Sequence, residues 1–148
     1  MQLKKDGSVS LFYKEPPATP QQTAQLLARL AVNFPKMNQQ YAGVSFWTVL
    51  GEQLVELGWS EKRIRYAVNY MLQNYKYPTF NTAEFLSIDK NIKIYNYNEF
   101  FNKFGTTRLS GYCILKERSS DGRILFAITQ EAKLLGLEIQ EEFNENQN

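Results

Sequence analysis

Prolines, glycines and aromatic residues divide the first two thirds of this chain into helical segments, and this punctuation constrains the fold more than any other feature. The marks are Phe34-Pro35, Gly58-Trp59-Ser60 and Tyr77-Pro78-Thr79-Phe80. Between them apolar residues recur at helical spacing, whereas proline and glycine end helices or supply their caps. The stretch therefore predicts a compact helical body whose turns lie at these marks.

Capping patterns predict where the helices begin. A Thr or Asn followed three residues later by Gln or Glu has the spacing of a capping box, and the chain contains this pattern at Thr19, Asn81 and Asn96. Ser60 follows Gly58 closely and suits the N-cap of a third helix, while a second helix should begin near Val44 or Ser45 and end at Gly58. Five helices are predicted in this way between residues 19 and 105.

The pattern changes after Gly105. Two strand-like runs, residues 112–118 and 123–128, flank a turn that ends in Asp121-Gly122, and a short helix capped by Thr129 should follow. The predicted fold class is thus mainly α: a small bundle of about five helices with a C-terminal β-hairpin and short helix. The predicted regions are an extended N-terminal segment (1–18), a helical domain (19–105), the hairpin with its helix (106–137) and an acidic, flexible tail (138–148).

Composition argues against most kinds of catalytic site. The 148 residues include no histidine, which excludes histidine-dependent triads and most catalytic zinc sites. No Gly-Lys-Ser or Gly-Lys-Thr phosphate loop occurs, Glu52 and Glu56 are interpreted as a solvated helix face, and Cys113 is interpreted as a buried structural cysteine. We therefore expect a protein that is not an enzyme and that needs no metal or cofactor.

Hydropathy and the N-terminus bear on location. No apolar run approaches the roughly 20 residues that cross a bilayer, and Met1–Asp6 lacks the apolar stretch of a secretory signal. A single cysteine fits a reducing compartment. The expectation from the sequence is a cytoplasmic protein that does not bind membranes.

Charge is distributed unevenly along the chain. Residues 60–118 contain ten Lys or Arg against five Asp or Glu, whereas residues 119–148 contain two against six. A basic middle is compatible with a polyanionic partner. The same asymmetry also occurs in proteins that bind nothing charged.

Two groups of residues are candidates for binding a protein partner or DNA. On a helical wheel, the third helix buries a stripe that includes Ile64, Met71 and Leu72 and directs other side chains away from it. Another segment of the chain could cover its two tyrosines, and the cations at the hairpin could be a solvated edge rather than a DNA-binding wing. The candidates are Lys62, Arg63, Tyr66 and Tyr70 on the helix, and Lys116, Arg118 and Arg123 around the hairpin.

The order of these helical motifs carries a family resemblance. A helix ending at Phe34-Pro35, a helix bearing Trp47, a basic helix, and Tyr77-Pro78-Thr79-Phe80 leading to Glu84-Phe85 together resemble the N-terminal helical domain of phage replicative-helicase loaders, the loader-and-inhibitor proteins of Bacillus phages. The resemblance covers about residues 20–88. The chain departs from that family beyond this region, because residues 106–137 predict an ordered hairpin and helix.

The resemblance implies a non-enzymatic DNA-replication adaptor of phage or mobile-element type. Such an adaptor binds a protein partner such as a replicative helicase, and it can also bind DNA. The alternative from another class is a winged-helix-like DNA-binding regulator that uses the third helix and the hairpin. The sequence alone leaves the partner, the oligomeric state and any DNA specificity open.

Overall fold

The computed structural model describes residues 1–41, 43–105 and 108–144. Its helices are α1 (Pro20–Ala31), α2 (Phe46–Glu56), α3 (Glu61–Asn74), α4 (Thr82–Leu86), α5 (Tyr97–Phe104) and α6 (Thr129–Leu134). Its strands are β1 (Ser8–Ser10), β2 (Gln40–Tyr41), β3 (Val44–Ser45), β4 (Asn91–Lys93), β5 (Tyr95–Asn96), β6 (Tyr112–Arg118), β7 (Ile124–Ile128) and β8 (Ile139–Glu142).

The chain forms two compact units. The helical unit is Lys14–Asp89, and the sheet unit consists of Met1–Tyr13 together with Lys90–Asn148. The helical unit is thus inserted in the sequence between β1 and β4, two antiparallel strands of the sheet unit that pair Val9 with Ile92. Residues 1–13 and α5 thus group with the C-terminal hairpin in the sheet unit.

The helical unit contains α1 to α4, a 3₁₀ turn at Pro35–Met37 and the short β2–β3 hairpin. The predicted capping residues Thr19, Ser60 and Asn81 all accept hydrogen bonds from backbone amides in the first turns of α1, α3 and α4. Helix α1 packs on both α2 and α3. The core comprises one continuous cluster, which includes Leu27, Leu30, Leu50, Leu54, Ile64, Val68, Met71 and Phe85.

The sheet unit is built on a four-stranded antiparallel sheet of order β5-β7-β6-β8. Alternate residues of its central strands belong to two apolar clusters. Cys113 and Leu115 of β6 belong to one, with residues from β1, β4 and α6, while Ile114 belongs to the other, with the α5 residue Phe100. The apolar parts of the central strands, residues 113–115 of β6 and 125–127 of β7, are therefore covered on both faces.

The predicted mainly α class is wrong, because the fold is mixed α/β. The β6–β7 hairpin forms as predicted, but β5 and β8 extend it into a sheet. The acidic segment expected to be a flexible tail contributes β8, and Phe143 after it is buried. Short strands of this kind are stabilised by long-range pairing, which local sequence patterns do not reveal. The remainder of that predicted tail, residues 145–148, and residues 106–107 lie outside the described residues.

Candidate functional site

An open groove of about 700 Å³ runs between α1 and α2 on the helical unit. Apolar and small side chains dominate its surface, although both helices already contribute to a filled core beneath it. Helix α1 supplies Pro20, Thr23, Ala24, Leu27, Ala28 and Ala31, and helix α2 supplies Trp47, Thr48, Gly51, Glu52, Val55 and Glu56. We call this feature the α1–α2 groove.

The α1 wall of the groove is a stripe of alanines. Ala24, Ala28 and Ala31 follow the i, i+4, i+7 spacing of one helix face. The adjacent face of the same helix buries Leu26 and Leu30 in the core. The apolar face of helix α1 is therefore wider than the part that packs into the core of the helical unit. The alanines outside that core-facing part line the groove.

Gly51 deepens the groove from the α2 side. Seven of the eight glycines have positive φ angles, and Gly51, in the interior of α2, is the exception. A Cβ atom built at this position would meet only Leu27 Cδ1, at 3.6 Å, which is an ordinary van der Waals distance. Neither backbone conformation nor steric crowding requires glycine here, even though glycine disfavours a helix interior.

Trp47 forms part of the α2 wall and is held in a defined orientation. Its indole Nε1–H donates a hydrogen bond to Asn38 Oδ1 at 2.8 Å. The ring packs edge-on against Phe46 and Phe80, with centroid separations of 5.2 and 5.9 Å. The half-buried indole thus presents a rigid apolar surface to the groove.

Two carboxylates line the α2 side of the groove. Glu52 and Glu56 are exposed and lie one helical turn apart. Within the described residues, neither side chain forms an ion pair or a hydrogen bond. The solvated helix face expected from the sequence is therefore also the acidic edge of an apolar groove.

The cationic candidates on α3 have partners within the helical unit. Lys62 Nζ lies 3.2 Å from Glu15 Oε1 on the surface. The guanidinium of Arg63 stacks on Trp59 at 3.8 Å from the ring centroid, and its Nη2 lies 3.4 Å from Oδ2 of the buried Asp89. Burial lowers the pKa of Arg63, and the Asp89 carboxylate partly opposes that shift. Arg63 is consequently part of the internal structure of the unit rather than an open binding residue.

The aromatic candidates on α3 differ from each other. Tyr66 is half-buried and packs against the core of the helical unit, whereas Tyr70 is 45% exposed. Leu72, predicted to be buried, is exposed because it lies at the edge of the core-facing stripe. The predicted surface of two outward tyrosines is therefore reduced to one well-exposed ring.

The candidates around the hairpin belong to the sheet unit and pair locally. Lys116 Nζ lies 3.7 Å from Glu138 Oε2, and Arg118 Nη2 donates a 2.6 Å hydrogen bond to Gln140 Oε1. Arg123 Nε lies 3.2 Å from Asp121 Oδ2. The strand β8 thus supplies the partner of Arg118, the residue immediately before β8 pairs with Lys116, and the hairpin turn pairs with Arg123.

A second, polar pocket in the sheet unit contains charges that largely satisfy one another. Lys93 Nζ lies 2.7 Å from Glu99 Oε2 and also donates to the Asp6 carbonyl. The hydrogen bond from Lys93 lowers the pKa of Glu99, and hydrogen bonding by Ser119 lowers the pKa of Asp121. Several of the charged groups that line this pocket are thus already engaged in ion pairs or hydrogen bonds with one another.

The structure also bears on metals and membranes. Among the described residues, no group of three or more Cys, Asp or Glu side chains is arranged to hold a metal ion. Over the same part of the chain, no helix has the length and apolar character needed to span a membrane. Cys113 is fully buried in β6, and burial raises the pKa of its thiol.

Sequence reasoning identified the helices that form the groove but missed the groove itself. The usable signs were the alanine spacing on α1 and a glycine in the middle of α2. Both patterns are also compatible with close helix packing, so they indicate a groove only when the positions of the two helices are known.

Comparison with known proteins returned no matching family model, no matching curated protein and no matching solved structure.

Proposed function

We propose that this protein is a non-enzymatic adaptor that binds a protein partner through the α1–α2 groove. The observation that carries the proposal is an open apolar groove whose floor includes a helix-interior glycine with no conformational role. Glycine at such a position costs about 0.5–1 kcal/mol relative to alanine. A binding surface gives a reason for this cost, because the missing methyl group leaves room for a side chain of the partner.

The dimensions of the groove suit a helical segment. Helix α1 has 12 residues, which corresponds to a length of about 18 Å at 1.5 Å per residue. A groove of this length accommodates roughly three turns of a partner helix, with apolar anchors at i, i+4 and i+7. Trp47 adds a preoriented aromatic surface, which is a common source of binding energy at protein interfaces.

The non-enzymatic part of the proposal rests on the sequence. Without histidine, general acid–base chemistry would have to use carboxylate, lysine or tyrosine groups. The two carboxylates at the groove line an apolar surface and are exposed to solvent. Their position is better suited to attracting a partner than to catalysis.

The proposed partner is a replicative helicase. This part of the proposal is supported by the resemblance of residues 20–88 to phage helicase loaders, and the α1–α2 groove lies within that range. The alternative of a winged-helix-like DNA-binding regulator has less support, because the hairpin residues Lys116, Arg118 and Arg123 all have local partners.

Blocking the groove tests the proposal. Ala28→Arg places a long cationic side chain in the groove, while Gln25→Arg adds the same side chain to an exposed position of α1 that does not line it. Both changes keep good helix formers, so the fold should be retained. Binding of each variant to the purified replicative helicase of the same organism would be measured by calorimetry, with fluorescence anisotropy on single- and double-stranded DNA in parallel.

The proposal predicts that Ala28→Arg weakens helicase binding by at least about tenfold, equivalent to roughly 1.4 kcal/mol. The Gln25→Arg variant should bind as the wild-type protein does. Equal binding by the two variants would refute the groove as the binding surface. If the wild-type protein binds DNA tightly but does not bind the helicase, the result would favour the alternative of a DNA-binding regulator.

A further inference from the structure

We infer that the α1–α2 groove selects an amphipathic helix carrying lysine or arginine along the flank that faces Glu52 and Glu56. This inference rests on the proposed function and specifies the chemistry of the partner. Its basis is a pair of exposed carboxylates that line an apolar groove and have no partner within the described residues.

The charge of the groove is asymmetric across its width. Helix α1 carries a single charged residue, Arg29, which does not line the groove. Helix α2 carries two charged residues, Glu52 and Glu56, and both line it. A helix lying in the groove therefore meets alanines on one side and carboxylates on the other, which favours cations on one flank only.

The spacing of the carboxylates matches that of cations on a helix. Residues four apart on one helix are separated by about 6 Å along its axis. A partner helix with Lys or Arg at i and i+4 can thus face Glu52 and Glu56 simultaneously when it lies roughly along α2. This match would fix the rotation of the partner helix about its own axis, so that a defined apolar face enters the groove.

The shape of the groove determines which apolar anchors fit. Ala24, Ala28 and Gly51 present little or no side chain, so the partner must supply the volume. Leucine-sized anchors fill such a space, while Trp47 and Val55 provide apolar contact on the α2 side. The preferred ligand is therefore a helix with a leucine stripe and an adjacent basic flank.

Charge reversal on both molecules tests the inference. The probes are three capped, alanine-based helical peptides of about 16 residues. One has leucines at i, i+4 and i+7 with lysines on one flank, the second has glutamates in place of those lysines, and the third keeps the composition of the first but scatters its leucines. Affinities would be measured by calorimetry for the wild-type full-length chain, for the double variant Glu52→Lys/Glu56→Lys and for Ala28→Arg.

The expected result is a reciprocal preference. The wild-type chain should bind the basic-flank peptide about tenfold more tightly than the acidic-flank peptide at low salt, and added salt should reduce the difference. The Glu52→Lys/Glu56→Lys variant should reverse that order. Ala28→Arg should weaken both peptides, and the peptide with scattered leucines should bind poorly throughout.

Three outcomes would overturn the inference. Equal affinity for basic and acidic flanks would refute charge selection while leaving the groove as a protein-binding surface. Failure of every helical peptide to bind, with helicase binding still sensitive to Ala28→Arg, would refute a helical ligand but not the proposed function. Self-association of the wild-type chain that Ala28→Arg abolishes, measured by sedimentation, would instead identify a second copy as the occupant.

Discussion

Replacing Gly51 with alanine should stabilise the helical unit and at the same time weaken partner binding. The position lies inside α2, so alanine gains about 0.5–1 kcal/mol from its higher helix propensity and from the reduced entropy of the unfolded chain. The new methyl group would lie 3.6 Å from Leu27 Cδ1, which is a normal contact and not a clash. The same methyl group makes the groove shallower, so the affinity for the helical peptide should fall severalfold.

The assay can be directed to the helical unit, because both tryptophans of the chain, Trp47 and Trp59, belong to it. Urea unfolding followed by tryptophan fluorescence therefore reports the unit that contains the change. Gly58→Ala is the matched control. Gly58 has φ of +70°, and a Cβ atom there would meet only Pro17 Cγ at the ordinary van der Waals distance of 3.9 Å, so alanine should destabilise by about 1 kcal/mol through backbone strain.

The two alanine substitutions should thus have opposite effects on the free energy of unfolding. A Gly51→Ala variant that is less stable than wild type would refute the packing described for α1 and α2. A variant that is more stable and binds the partner with unchanged affinity would refute the functional explanation for the glycine.

Three further predictions concern residues outside the groove. Arg63→Met should lower the free energy of unfolding by roughly 1–3 kcal/mol in urea titrations, because it removes the guanidinium that pairs with the Asp89 side chain, which is 4% exposed, and that stacks on Trp59, whereas Tyr70→Ser should have little effect. The 2.5 Å hydrogen bond that Tyr75 donates to Glu84 raises the pKa of Tyr75 to about 12. The contribution of this bond to stability should be complete below about pH 10 and disappear as the pH rises towards 12. The difference in unfolding free energy between the wild-type protein and Tyr75→Phe should therefore shrink over that range, and a constant difference would exclude the bond. Cys113 should resist alkylation at neutral pH until the sheet unit unfolds, as followed by mass spectrometry, and rapid labelling of the native protein would contradict its burial.

Local patterns predicted the helices well because their boundaries depend on nearby residues. The caps at Thr19, Asn81 and Asn96 are present with both hydrogen bonds of the capping box. Thr129 is an exception, since it is the first residue of α6 and Ile128 occupies the N-cap position. A capping residue followed by a compatible helical stretch is a local feature, and sequence reasoning can recognise it.

The sheet was only partly predictable, because its outer strands depend on distant partners. Strand β5 consists of Tyr95 and Asn96 and is held by residues 125 and 126 of β7. Strand β8 lies in an acidic segment whose composition suggested flexibility, yet its residues pair with β6. In both cases pairing across the sheet outweighs local composition, which is why the mainly α prediction failed.

The candidate binding residues show a similar limit. A helical wheel places Arg63 and Tyr66 away from the main core stripe, but it cannot show that Trp59 and Asp89 meet Arg63 or that core residues pack against Tyr66. The groove residues, in contrast, were not predicted as a binding surface. Its residues are unremarkable when read singly, and their importance follows from the packing of α1 beside α2.

Methyl NMR on alanine-labelled protein tests the central claim most directly. Ala24, Ala28 and Ala31 line the groove, whereas Ala67 is buried in the helical-unit core and Ala127 and Ala132 are buried in the sheet unit. Titration with the basic-flank leucine peptide should shift the first three methyl signals strongly and leave the other three nearly unchanged. If the peptide binds without changing the chemical shifts of the three groove methyl groups, the α1–α2 groove is not the protein-binding surface.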